Sequence, residues 1–502
     1  MLPDHSAFAD EMPNKFLNHN HLNNLDLDIE TDKPQEACGV FGVLAAQGDV
    51  ANLVYFGLYA LQHRGQESAG ITVYDDRGET HTHKAMGLVS QVFNETILSG
   101  LKGSLAIGHN RYSTTGSSKV CNAQPIVVNT RLGDFSLAHN GNLVNATELR
   151  GEILAQGHHL ESTTDSEGIA FAVCEAVATG KDWQEAIVTA LHRCEGAFSL
   201  VMAYANAIVG ARDAYGVRPL VIGKTDDGAY VLSSETCGLD IIGAEYIREV
   251  RPGELVIITI ENGMQSWQWA ESKPKLCVFE MIYFARPDSV MHSESLYTYR
   301  MRIGAELAKE SFIDADIVIG VPDSGIPAAI GFARESGIPY AEGLIKNRYV
   351  GRTFIQPTQA MRESGIRMKL NPLKDVLQGK RVIVIDDSIV RGTTSRKIVR
   401  ALREAGATEV HMRISSPPVT HPCFYGIDTD SQDHLIAAKN SVDAIAKQIE
   451  VDTLAYLSHD AMLRATNIDT THFCTACFTG KYPIEVPDKL KRSKLMLEIT
   501  AT

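Results

Sequence analysis

The chain has 502 residues, 44% of them hydrophobic, and a formal net charge of −14. This is enough apolar material for two or more separately cored domains. The acidic balance argues against a broad nucleic-acid surface while leaving room for a local anion pocket, and no apolar run approaches the ~20 residues needed to span a membrane.

Residues 1–37 carry eight Asp/Glu against two Lys and no sustained apolar stretch. They lack the basic start and apolar centre of a signal peptide and read as a disordered acidic propeptide. Cys38 then opens the run Cys38-Gly39-Val40-Phe41-Gly42-Val43. If the leader is removed, Cys38 becomes the first residue, and its own α-amino group, with a pKa of roughly 7.7–8.0, lies beside the thiol as a base. The alternative is an ordinary N-terminal tail with Cys38 as the first core residue.

Residues 38–270 alternate short β-type runs with Gly, Asn and Asp turns, as in Gly70–Tyr74, Ser104–Gly108, Phe198–Met202 and Glu254–Ile258. Helical spacing appears near 50–63 and 166–180. The expectation is antiparallel sheets covered by helices. Within this stretch, His139-Asn140-Gly141 offers an amide side chain and a backbone N–H for an oxyanion. Arg111 offers a planar fork for a carboxylate, and Asp165 a partner for an α-ammonium group. Each has a plainer reading: Asn-Gly as a turn, Arg111 as a structural ion pair, Asp165 as a helix cap.

Taken with His63-Arg64-Gly65-Gln66-Glu67 and Gly108-His109-Asn110-Arg111-Tyr112, these strings resemble the glutaminase domain of the N-terminal-nucleophile amidotransferases. The resemblance implies an αββα sandwich. It also implies Cys38 as thiol nucleophile, Asn140 and Gly141 as oxyanion donors, and Arg111, Thr114 and Asp165 as glutamine contacts.

Around Pro274 the pattern changes. A helix is expected over 298–311, a strand at 317–321, a helix near 326–336, a strand at 381–387, a helix near 393–405 and a strand near 408–414; beyond 440 the tail reads as mostly helical. Strands alternating with helices imply a parallel sheet. The strand ending in Asp386-Asp387 is followed by Ser388-Ile389-Val390-Arg391-Gly392-Thr393-Thr394, a small-residue loop whose N–H groups and following helix would cradle a phosphate. A generic acidic strand end is the alternative, with no Gly-x-x-x-x-Gly-Lys-Ser/Thr run to partner it. The stretch resembles the phosphoribosyl-pyrophosphate (PRPP) signature of the type I phosphoribosyltransferases. That resemblance implies PRPP contacts from Ser388, Arg391, Gly392, Thr393 and Thr394, from Lys346 and Arg352 of a closing loop, and Mg²⁺ held at Ser324, Asp386 and Asp387.

Nine cysteines, an odd number with no secretory leader, point to a reducing, cytoplasmic setting. Cys474-Thr475-Ala476-Cys477 alone leaves zinc, a redox pair and coincidence open. The two domains in this order resemble the glutamine PRPP amidotransferases. Within that family Cys277, Cys423, Cys474 and Cys477 resemble the ligand set of the iron–sulfur, propeptide-containing branch, which implies a [4Fe–4S] cluster.

The expected organisation is a propeptide over 1–37, a glutaminase domain over 38–270, a phosphoribosyltransferase domain over 271–460 and a helical tail over 461–502. The implied activity hydrolyses glutamine and passes ammonia to Mg-PRPP, yielding 5-phosphoribosylamine for purine synthesis. Purine nucleotide feedback and a homotetramer are implied the same way. Hexosamine synthesis is disfavoured by the Asp386-Asp387 loop, and a PRPP-sensing regulator by the intact glutaminase half.

Overall fold

The computed structural model describes residues 38–46, 48–112, 118–347, 370–427, 429 and 431–487. The first half is two stacked antiparallel sheets. One has the order Ala244–Glu249, Val221–Thr225, Tyr230–Ser233, Gly39–Leu44, Leu105–Arg111, Ser68–Tyr74, Thr80–Met86. The other runs Gly263–Gln268, Glu254–Thr259, Ala207–Arg212, Gly196–Tyr204, Gly133–Leu143, Ile126–Thr130.

Strand alternation sorts the side chains into layers. Along Gly39–Leu44, Phe41 and Val43 face the helix Val50–Ala60. Val40 and Leu44 face the other way and share a core with Ala138, Val201, Ile208 and Val256 of the second sheet. That sheet buries Phe135, Leu137, Leu200 and Met202 under the helices Ala146–Ala155, Asp165–Ala178 and Trp183–Leu191. The result is the expected helix–sheet–sheet–helix stack.

In the second half, four parallel strands lie in the order Ile317–Gly320, Arg381–Asp386, Glu409–Ile414, Thr453–Tyr456. The aliphatic runs of the first two strands are buried on both faces, as a covered parallel sheet requires, and Val410, Met412 and Ile414 of the third are buried on one. The helix Leu296–Glu310 packs on Ile326–Ser336. The latter starts with Pro327 in its first turn and stops at Gly337 in the left-handed region, so proline and glycine mark its two ends. The stretch beyond 440 holds the helices Val442–Ile449, His459–Arg464 and Ala476–Thr479, but also two strands that the sequence reading had not separated from them. Thr453–Tyr456 extends the parallel sheet, and Phe473–Cys474 pairs in parallel with Leu276–Cys277. The tail thus returns to the start of the second half. Among the described residues, no helix is long and apolar enough to cross a membrane.

Candidate active sites

Cys38 immediately precedes the first strand and is buried, its Sγ 3.4 Å from the Tyr112 carbonyl oxygen. Burial pushes the thiol above its ordinary value of 9.0; the contact with Tyr112 and the Arg111 charge pull it down, and Glu67 and Asp165 push it up. Those same influences show that the fold gathers Arg111 and Asp165 around Cys38. Arg111, the last residue of Leu105–Arg111, is buried with Nη1 3.4 Å from Glu67 Oε2. Asp165 opens the helix Asp165–Ala178 and accepts from the Leu143 N–H at 2.9 Å, while its Oδ1 lies 3.6 Å from His139 Nδ1. Burial opposes ionisation of Asp165, but His139 and its hydrogen bonds outweigh it, so its pKa falls. Thr114 lies outside the described residues.

Asn140 and Gly141 sit near the end of Gly133–Leu143. Asn140 is fully buried, and among the described residues neither its Nδ2 nor its Oδ1 has a hydrogen-bond partner. A buried amide left in that state costs about 1–3 kcal/mol, which a bound oxyanion would offset. Gly141 has φ +152, and a Cβ there would stand 2.0 Å from the Ala197 carbonyl oxygen, so glycine alone fits.

The sequence quoted Arg64 only as part of a string, and its role is set by residues far away. Buried Arg64 donates Nε–H to the Cys38 carbonyl at 3.1 Å, and its fork spans Glu235 at 2.6 Å and Glu280 at 2.7 and 3.0 Å. Arg218 reaches Glu280 at 2.8 Å. Ser289 Oγ donates to Glu235 at 2.8 Å. Two buried carboxylates between two buried guanidiniums balance charge away from water. The effect is to anchor the backbone of Cys38.

The second site forms at the carboxyl end of Arg381–Asp386, where open parallel sheets take ligands. Asp386, Asp387 and Ser388 are buried. Asp386 Oδ1 accepts from the Asp387 N–H at 2.9 Å, Ser388 Oγ donates to Asp387 at 2.7 Å, and Ser324 Oγ donates to the other Asp387 oxygen. Gly392 takes φ +84, turning the chain into the helix Thr393–Glu404 so that Thr393 and Thr394 lie on its first turn. Arg391 is half-buried beside it. Lys346 Nζ lies 2.7 Å from Asp323 Oδ2 at the mouth of the Val321–Gly325 loop. Arg352 lies outside the described residues.

The four cysteines also converge. Cys277 and Cys474 are register partners in the short parallel pair. Cys423 and Cys477 border the same apolar cluster, with Phe279, Phe424 and Tyr425. None is in a disulfide. Burial raises the Cys277 thiol to about 12, and the neighbouring Cys423 adds to the rise. Burial likewise raises Cys477, with Cys277, Cys474 and Cys423 adding to it.

Residues 109–240 match the glutamine amidotransferase domain family and residues 293–415 the phosphoribosyl transferase domain family. The chain is 67% identical over 479 residues to the amidophosphoribosyltransferase of Synechococcus elongatus, covering 94% of this chain and 97% of that one. It is similar to the glutamine PRPP amidotransferase of B. subtilis complexed with ADP and GMP, with TM-score 0.84 and 47% identity over 90% of this chain and 98% of that one. A further solved structure, described as the allosteric regulatory enzyme of purine biosynthesis, gives TM-score 0.85 and 48% identity over 90% of this chain and 97% of that one.

Proposed function

The chain belongs to the amidophosphoribosyltransferase family, and from that premise we propose how its two sites divide the work. The enzyme uses glutamine to aminate PRPP, a step of purine biosynthesis. Cys38, freed of residues 1–37, is the nucleophile. Its α-amino group takes the thiol proton as Sγ attacks the amide carbon, and the same proton leaves with ammonia. Asn140 Nδ2 and the Gly141 N–H hold the carbonyl oxygen as it becomes an oxyanion. The Asn140 amide, without a hydrogen-bond partner among the described residues, is the observation that carries this reading. Arg111 and Thr114 take the substrate carboxylate, and Asp165 its ammonium group. Water then cleaves the thioester and releases glutamate.

In the second site the N–H groups of Ser388–Thr394 and the start of the helix Thr393–Glu404 bind the 5-phosphate. Lys346 and Arg352 close over the pyrophosphate and exclude water, which competes with ammonia for the anomeric carbon. Ammonia displaces pyrophosphate, giving 5-phosphoribosylamine. Ser324, Asp386 and Asp387 form an all-oxygen donor set that suits Mg²⁺. Such a metal would complete its shell with substrate phosphates. When bound, Mg²⁺ would neutralise charge developing on the leaving pyrophosphate.

Cys277, Cys423, Cys474 and Cys477 would hold a [4Fe–4S] cluster, tying the tail to the start of the second half. The support is the convergence of four thiols, none in a disulfide, on one apolar cluster. We further place the working enzyme in the cytoplasm as a homotetramer with domain limits near 270 and 460. Purine nucleotides act as its inhibitors, in line with the ADP and GMP on the B. subtilis relative.

Internal passage of ammonia is tested with amide-¹⁵N glutamine in excess unlabelled ammonium. Label retained in phosphoribosylamine supports it; complete dilution rejects it.

A further inference from the structure

We propose that the segment Cys423–Gly426, from the far half of the chain, is a positioning element for the oxyanion turn at Asn140–Gly141. The inference rests on those two residues being the oxyanion donors.

The turn needs outside support because its sheet gives it only one neighbour. Gly133–Leu143 is paired from Phe135 to Leu143 with Gly196–Tyr204, but its pairing with Ile126–Thr130 stops at Leu137. Ala138 to Leu143 therefore carry a strand on one edge alone. Side chains take part of the other edge: Gln124 Oε1 accepts from the His139 N–H at 2.8 Å, and Asp165 from Leu143. At Gly141 the support comes from residues some 280 positions downstream. Asn142 is buried and donates Nδ2–H to the Phe424 carbonyl at 3.0 Å. Gly426, at φ +96, lies so close that a Cβ would stand 2.9–3.1 Å from the Gly141 backbone. Val144 and Ala197 of the glutaminase half share one apolar cluster with Phe424, Tyr425 and Ile427.

The segment is itself held from the second half. The Cys423 N–H donates to Thr429 Oγ1 at 2.7 Å. The Tyr425 hydroxyl donates to the Ile484 carbonyl at 2.5 Å and accepts from the Ile484 N–H at 3.0 Å. Upstream, the Ser415 N–H donates to the Asp386 carbonyl at 2.9 Å, at the end of the strand that carries the second site. The chain from Ser415 to Gly426 thus links the end of that strand to the wall behind Gly141. Oxyanion donors work only when held close to their productive geometry. The glutaminase site is therefore completed by residues from the other half, with Asn142 and Gly426 as positioning residues.

The test is Asn142→Ala in the full enzyme, with glutamine hydrolysis and ammonia-dependent phosphoribosylamine formation measured side by side. The expected result is a fall in kcat for glutamine of roughly tenfold or more, with KM for glutamine and the ammonia-dependent rate near wild type. Gly426→Ala gives the same signature where it folds. Wild-type glutamine kcat in Asn142→Ala overturns the proposal, as does an equal loss of both activities or a loss confined to KM. Asn140→Ala separates the two layers: if it keeps full glutaminase, the oxyanion assignment itself fails; if it loses it while Asn142→Ala does not, only the positioning role fails.

Discussion

Burial sets the reactivity of Cys38. A thiol raised above 9.0 holds little thiolate at neutral pH, so in the intact chain Cys38 should react slowly with iodoacetamide near pH 7 and faster as pH climbs past 9. Removing residues 1–37 places an amine beside it and should move that rise toward pH 8. Alkylation profiles of intact and trimmed chains check this, and superimposable curves would rule out amine activation. Cys38, Asn140 and Asp165 could be singled out as candidates in sequence because each sits in a short string that carries the family resemblance. Arg64 was not: its partners Glu235 and Glu280 lie 171 and 216 residues away, and no spacing rule reaches that far. Asn142 escaped notice for the same reason, its partner Phe424 being supplied by another part of the fold.

At the scale of elements, the strand–loop–helix unit from Arg381 to Glu404 was readable almost to the residue. A buried aliphatic strand, paired acids and a glycine at the turn all fall within one window. The helix Ile326–Ser336 was expected at the same bounds, and the structure marks its ends with Pro327 and Gly337. Thr453–Tyr456 was not, because four half-buried residues at the end of a sheet carry no alternation long enough to separate them from the helices on either side. The acid pair at the strand end yields a direct expectation. Replacing Asp386 and Asp387 together by Ala should abolish PRPP consumption while leaving measurable glutamine hydrolysis, since the two carboxylates belong to the second sheet system. Unchanged PRPP turnover in a pyrophosphate-release assay refutes the assignment.

Over the whole molecule, the cysteines show how far sequence reading extends. Spacing singled out Cys474 and Cys477, the family resemblance added Cys277 and Cys423, and the fold brings Cys277 alongside Cys474 through a parallel pair two residues long, with Cys423 at the same cluster. The tail is thereby pinned close to Phe424 and Tyr425, behind Gly141. Protein purified without oxygen should contain about four irons and four sulfides per chain; analysis that finds zinc alone rejects the cluster. The two halves meet through the Arg64–Glu235–Glu280–Arg218 network as well as through Asn142 and Phe424. Glu280 and Phe424 of the second half thus brace Arg64, which holds the Cys38 carbonyl, and Asn142.

The separation of the two chemistries is best measured in Cys38→Ser by following phosphoribosylamine formation with glutamine and, separately, with ammonium at high pH. The two-site account predicts that the glutamine-dependent rate disappears while the ammonium-dependent rate persists near the wild-type value. Loss of both rates to the same extent would contradict it.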